Sequence, residues 1–196
     1  MRTLSILTTA VFLVTALLAA CETPPPVDKL PELTYTHLGT LRFNAGVMQV
    51  VTTYSQPMKA PNVEHLLLTP PLKTLKRWAD DRIFVGGDKG LVRFTIVNAA
   101  VTETALKVKK GLLGAFHKEQ SERYDAVIEA SIELLDDRGF RLGFASAQAN
   151  RSMTVREDAT LNKRRRVQFE LIEALMNDFN TEIESNIRQY LSKWLL

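Results

Sequence analysis

The residues of this 196-residue chain whose side chains could do chemistry are few, and their spacing works against it. Cys21 is the single cysteine, so neither a disulfide nor a multi-thiolate zinc site forms within the chain. His37, His65 and His117 lie far apart, and none sits in an H-E-x-x-H, a metal-ligand pair or a triad pattern. Asp80-Asp81 offers two carboxylates for acid–base work, but adjacent helical residues point about 100° apart, which makes them a polar helix face. Asp136-Asp137-Arg138-Gly139 has turn chemistry, and Gly86-Gly87-Asp88-Lys89-Gly90 lacks the lysine and hydroxyl of a phosphate-binding loop. The expectation is a protein with no catalytic residue, no cofactor and no metal site.

Cys21 draws its meaning from its flanks. Met1-Arg2-Thr3 precedes an uncharged apolar run from Leu4 to Ala20, the basic n-region and hydrophobic core of a secretory signal. This run is too short and too weakly flanked to read as a permanent membrane span. Leu18-Ala19-Ala20-Cys21 resembles a bacterial lipobox, which implies cleavage before Cys21 and acylation of its sulfur. Two or more acyl chains, at about 0.8 kcal/mol per buried methylene, would anchor the protein stably. In Gram-negative lipoproteins Asp after the cysteine favours the inner membrane. Here it is Glu22, so the expected address is the outer membrane, lipid-anchored on its periplasmic face. Four prolines between Glu22 and Pro31 predict an extended spacer of roughly 30 Å at about 3 Å per residue. The expected division is residues 1–20 signal, 21–40 lipidated cysteine and linker, and 41–196 one folded domain.

Without residues 1–20 the chain loses one arginine and no acid, leaving a formal charge of +2 and no reason to expect nucleic acid as a partner. The expected partners are the membrane, an envelope protein complex and lipid. Three features read as contact surfaces. Lys109, Lys110, Leu112, Leu113 and Phe116 fall where two strands need a polar connection, and would suit lipid headgroups or an apolar groove, or fold back over the sheet. Arg164, Arg165 and Arg166 stand near the start of the last helix, where positive charge opposes the macrodipole, as a solvated face or as a contact for an acidic partner or anionic lipid. Tyr190 and Trp194 close the chain beside leucines, as a membrane or partner contact or as core.

The elements that must position these residues are legible in the periodicity. Leu41 to Tyr54 reads as one strand covered on both faces. Thr69-Pro70-Pro71 reads as a helix start with Thr69 at the N-cap, followed by a stripe of Leu68, Leu72, Leu75, Ala79 and Ile83 that ends at the glycines from Gly86. Leu91 to Thr104 is a strand with a bulge or two-sided burial. Tyr124 to Leu134 alternates cleanly, and a hairpin turn leads to Phe140 to Val155, whose Ala145, Ala147 and Ala149 would admit a close neighbour. After Asp158 neither glycine nor proline occurs, and Ile172, Met176, Phe179, Ile183, Ile187, Tyr190 and Trp194 mark a long amphipathic helix. Unbroken, it would approach about 55 Å and overhang the sheet, bend or find a partner. The order β-α-β-β-β-α predicts an α+β fold, a mainly antiparallel four-stranded sheet packed against two helices.

Lipobox, proline tether and this element order together resemble the ABC-type transport auxiliary lipoproteins. That group includes the Pqi-type lipoprotein that works with MCE lipid-transport proteins. More loosely they resemble the lipoprotein that plugs the lipopolysaccharide translocon. Ala60-Pro61-Asn62-Val63-Glu64-His65, Arg77-Trp78-Ala79-Asp80-Asp81-Arg82 and Glu157-Asp158-Ala159-Thr160-Leu161 are similar to segments of alphaproteobacterial lipoproteins. The likeness covers most of the chain from Leu41 onward. It implies a non-enzymatic accessory subunit of an envelope lipid-transport or outer-membrane assembly system. The alternative is a structural lipoprotein of a periplasm-spanning secretion or motility complex.

Overall fold

In the computed structural model, residues 29–107 and 119–196 are described. Their elements are β1 (Leu41–Phe43), β2 (Val47–Thr52), α1 (Pro71–Arg82), β3 (Ile83–Val85), β4 (Leu91–Ala105), β5 (Gln120–Leu135), β6 (Arg141–Arg156) and α2 (Leu161–Tyr190). The main sheet has the order β2-β4-β5-β6, and β1 and β3 form a small second sheet. The α+β expectation holds, with β4, β5 and β6 as an antiparallel meander.

The segment expected as one strand from Leu41 to Tyr54 is two. The Gly46 N–H donates to the carbonyls of Lys89 (3.0 Å) and Gly90 (3.1 Å), a backbone approach so close that a Cβ there would lie 2.9 Å from the Asp88 carbonyl. The jog at Gly46 sends β1 to pair with β3 and β2 to pair with β4, both in parallel, which the crossover through α1 makes feasible. The bulge expected in β4 lies between Ile96 and Asn98, where Val97 turns outward. Asp136 makes the β5–β6 turn, its Oδ1 accepting the N–H groups of Arg138 (2.9 Å) and Phe140 (2.8 Å), and Gly139 takes φ 84°.

In β5, Tyr124, Ala126, Ile128, Ala130, Ile132 and Leu134 are all buried, as alternation requires. Ala145, Ala147 and Ala149 of β6 are buried on the same face beneath α2, while Phe140, Leu142 and Phe144 stay exposed. Thr160 caps α2, accepting the Lys163 N–H at 3.2 Å. Over its 30 residues the helix runs about 45 Å at 1.5 Å per residue. Strands β5 and β6, at 16 residues each, span about 53 Å at 3.3 Å per residue, so the helix does not overhang.

It stops at Tyr190 because the chain doubles back. Trp194 lies in a short 3-10 turn, its carbonyl accepts the Asn44 N–H (2.8 Å), and the Leu196 N–H reaches the Arg42 carbonyl (2.8 Å), so the last residues pair with β1. Gly143 makes room: a Cβ there would meet Leu191 and come within 2.8 Å of the Trp194 ring.

The stripe of α1 keeps Leu75 and Ala79 of the expected one, with Leu72 packed on the core, and widens to take in Trp78 and Arg82. Its buried residues are Pro71, Thr74, Leu75, Trp78, Ala79 and Arg82, whereas Leu68 lies outside the helix and is 57% exposed. The helix ends at Arg82, so Ile83 belongs to β3 and the glycines from Gly86 form the next loop. Trp78 decides the rotation. Its ring lies 5.4 Å from both Phe94 of β4 and Phe179 of α2, and its Nε1–H donates to Asn180 Oδ1 at 2.9 Å. Both helices therefore share one face of the sheet. Pro70 occupies the N-cap, so Thr69 does not cap, and Thr74 Oγ1 donates to the Pro70 carbonyl at 3.0 Å.

The folded unit also begins before residue 41. Tyr35 is buried, its N–H donates to Asp81 Oδ2 at 2.8 Å, and Leu33 packs on the core. Burial, with the carboxylates of Asp81 and Glu173 nearby, pushes the Tyr35 phenol well above its ordinary range.

Candidate functional site

Two buried charged side chains are the first places to look for chemistry, and both hold segments of chain together. Arg82 of α1 is 1% exposed and donates to the carbonyls of Leu38 and Gly39 and to Glu184 of α2. Glu184 also accepts from Arg188 at 2.6 Å. Burial pulls the Glu184 carboxyl up, but Arg188 and Arg82 outweigh it and hold the group below the usual carboxylate range. Glu64 is fully buried, accepting the Tyr54 hydroxyl (2.7 Å), the Asn62 amide (3.3 Å) and the Val101 N–H (3.2 Å). Burial again acts upward, and these hydrogen bonds outweigh it to keep the carboxyl low. The bonds tie the crossover between β2 and α1 to β4, beside the Asn62–Thr102 bridge. Neither residue had a periodicity signal in the sequence: Glu64 opens a 3-10 turn outside any regular stripe, and Arg82 looks like an ordinary helix-end cation.

The other charged candidates are likewise accounted for locally. Asp81 pairs with Arg77 and with the Tyr35 N–H, as a structural helix face would. His37 is exposed, and His65 lies in the 3-10 turn Glu64–Leu66, half-buried with an unpartnered Nδ1. Among the described residues no group of three or more His, Cys, Asp or Glu could hold a metal ion.

The expected contact residues fall into three groups. Cys21, Lys109, Lys110, Leu112, Leu113 and Phe116, with His117, lie outside the described residues. Arg164 is half-buried and ion-paired with Glu122 of β5, Arg165 is half-buried and Arg166 is exposed. At the chain end Tyr190 is 57% exposed, whereas Trp194 packs against the core with Leu191 and Leu195. Trp194 thus packs on the core while staying partly exposed, and Tyr190 is the more exposed of the pair. Arg164–Arg166 stand at the end of the sheet where Lys107 and Glu119 flank residues 108–118. There the Leu106 N–H donates to the Ser121 carbonyl (2.8 Å) and the Glu157 N–H to the Glu119 carbonyl (3.1 Å). A cleft of about 490 Å³ between Gln120, Arg156, Thr160 and Lys163 opens at the same end.

A wider cleft than this one lies elsewhere, where the chain enters the fold. Lys29–Leu33 run beside Leu68, Pro70, Lys73 and Arg77 and enclose a cleft of about 610 Å³. A second cleft of about 440 Å³ opens across Pro70 and Lys73, between Met58, His65, Leu72 and Lys76. Sequence reasoning missed this region because it assigned Leu68 and Leu72 to a buried stripe. Among the described residues no helix is long and apolar enough to cross a membrane.

No family model matches the chain, and no curated protein matches it. Among solved structures it is similar to a minor lipoprotein of Acinetobacter baumannii, at 15% identity and a TM-score of 0.32, covering 72% of this chain and 92% of that one.

Proposed function

We propose that the chain is a lipid-anchored accessory protein of the bacterial envelope. It is anchored through Cys21 at the periplasmic face of the outer membrane and acts by binding within an envelope lipid-transport (ABC/MCE-type) or outer-membrane assembly system. The observation that carries this reading is how the tether enters the fold. Lys29–Leu33 lie along the N-terminal turns of α1, Leu33 packs on the core and Tyr35 is buried. Seven residues lie between Cys21 and Lys29, and eight residue steps at about 3.1 Å each would reach roughly 25 Å if extended. An anchor so short keeps the domain at the membrane surface, where a binding subunit of a lipid-handling complex has to work.

Arg82 and Glu64 are committed to interior hydrogen bonds, and the role proposed for the chain is one of binding without a catalytic step. Isolating the full-length protein from native membranes in mild detergent tests the proposal. Near-stoichiometric MCE proteins, an ABC permease or an outer-membrane β-barrel is the expected result. Secretion or motility components would replace the proposal with the alternative. An empty isolation, with membrane permeability unchanged on deletion, would sink it.

A further inference from the structure

We infer that the surface around the N-terminus of α1 rests on the membrane that carries the anchor, with Met58, Leu66 and Leu68 entering the headgroup region and Lys29, Lys73 and Lys76 meeting anionic phospholipid. The inference rests on the lipid-anchored reading above and adds an orientation and a lipid class to it.

Four observations carry it. Met58, Leu66 and Leu68 are 62%, 71% and 57% exposed, although large apolar side chains favour the interior. They lie in the connection between β2 and α1, and the clefts containing Met58 and Leu68 meet at Pro70 and Lys73. The surroundings are cationic: Lys29, Lys73 and Arg77 line one cleft and Lys73 and Lys76 the other, with Glu32 the single acid among the lining residues. Arg77 is paired with Asp81, whereas Lys29, Lys73 and Lys76 have no salt-bridge partner among the described residues. The first turn of α1 has no acidic residue, so the positive end of its dipole adds to the same field. Finally, the tether ends here, and Lys29 and Leu30 are themselves part of the cleft. Apolar side chains ringed by lysines at the point of attachment match a bilayer interface bearing negative charge.

Another exposed apolar group, Phe140, Leu142 and Phe144, sits at the far end of the sheet. Its turn is bound to Gly90, just before β4, through Asp137, whereas the Met58–Leu68 connection docks on Val101 of β4, eleven residues further along the chain. The two groups therefore serve as test and control positions.

The experiment uses the full-length protein isolated from membranes and reconstituted into vesicles of equal parts phosphatidylethanolamine and phosphatidylglycerol, or of phosphatidylcholine alone. An environment-sensitive fluorophore is attached at Leu66→Cys, Leu68→Cys or Phe140→Cys, all surface positions, with folding checked by circular dichroism. The expected result is a blue shift and quenching by a lipid-borne quencher at 66 and 68 in the anionic vesicles. Both effects should be several-fold weaker in phosphatidylcholine, absent at 140, and lost in Lys73→Glu/Lys76→Glu. No shift at 66 and 68, an equal shift at 140, or a shift that needs a co-isolated protein would overturn the inference. Mass analysis of the Cys21 peptide separates the two claims: a bare thiol refutes the anchor, and flotation with the anionic vesicles then still decides whether the surface binds lipid.

Discussion

Replacing Arg82 tests whether the N-terminal entry, α1 and α2 are held by one buried guanidinium. The side chain is 1% exposed and serves three acceptors, of which two, the carbonyls of Leu38 and Gly39, are backbone groups that no substitution removes. In Arg82→Ala each of these carbonyls loses its charged donor at about 1–3 kcal/mol. Glu184 suffers less because Arg188 and partial exposure remain to it. Removing one member of a buried pair costs about 3–5 kcal/mol, and the sum here falls in the same range. With a urea dependence near 2 kcal/mol per molar for a domain this size, the midpoint should fall by roughly 2 M. Arg82→Met, which restores volume without donors, should recover little. The double variant Arg82→Met/Glu184→Met should also stay well below the parent, since the two carbonyls are still unpaired. A loss under about 1 kcal/mol in Arg82→Ala, or a double variant as stable as the parent, would refute the reasoning by showing that the guanidinium is dispensable. Trp78 fluorescence reports directly, because the indole is buried one turn from Arg82 between Phe94 and Phe179.

Other positions give sharper single readings. Gly143→Ala drives a methyl into Leu191 and the Trp194 ring; it should cost about 1–3 kcal/mol by thermal unfolding and expose Trp194 to an aqueous quencher. Trp78→Ala removes the aromatic junction of β4, α1 and α2 and the bond to Asn180, for an expected loss of about 3–5 kcal/mol in urea titration. Glu64 has a folded pKa below its unfolded value of about 4.3, so its contribution is complete above that pH and disappears as pH falls through the folded value. The urea midpoint of the parent should therefore drop as the pH falls below about 5, and Glu64→Gln, less stable at pH 7, should show a shallower acid slope. Arg164→Ala removes an ion pair that is partly solvated, and the expected change is under about 1 kcal/mol.

Most of the sheet was legible because alternation is a local property. Tyr124 to Leu134, the bulge near Val97 and the Asp136 turn all follow from side chains within a few residues of one another. The long helix was legible for the same reason, up to Ile187. What failed was decided by distant partners. The break at Gly46 is set by a loop more than 40 residues away, and the return of Leu191–Leu196 to β1 depends on the space at Gly143. The face that α1 buries is chosen by the pocket that Phe94 and Phe179 make for Trp78, which the spacing of leucines does not reveal. Among the described candidate contact residues, Trp194 takes the core packing that the sequence left open beside a surface contact, since an aromatic at a chain end has the same sequence whether it meets solvent or doubles back.

The rotation of α1 has a functional consequence. Had the buried face been centred on Leu72, Leu68 would have faced the sheet, and Trp78, about 120° around the helix from Leu72, would have sat at its edge. With Trp78 and Arg82 inside, Leu68 is turned out beside the tether, and Leu72 lines the neighbouring cleft with Lys73 and Lys76. Burying a guanidinium is costly unless every donor finds an acceptor, and the acceptors come from Leu38 and Gly39, only a few residues beyond the tether. The same bonds that stabilise Arg82 therefore fix the path of the entering chain against α1. A variant that lets α1 turn, such as Trp78→Ala combined with Arg82→Leu, should both release the Lys29–Gly39 segment to proteolysis and weaken any binding at the Met58–Leu68 surface. If that segment became cleavable while vesicle contact at Leu68 was unchanged, the tether path and the lipid-facing surface would be independent.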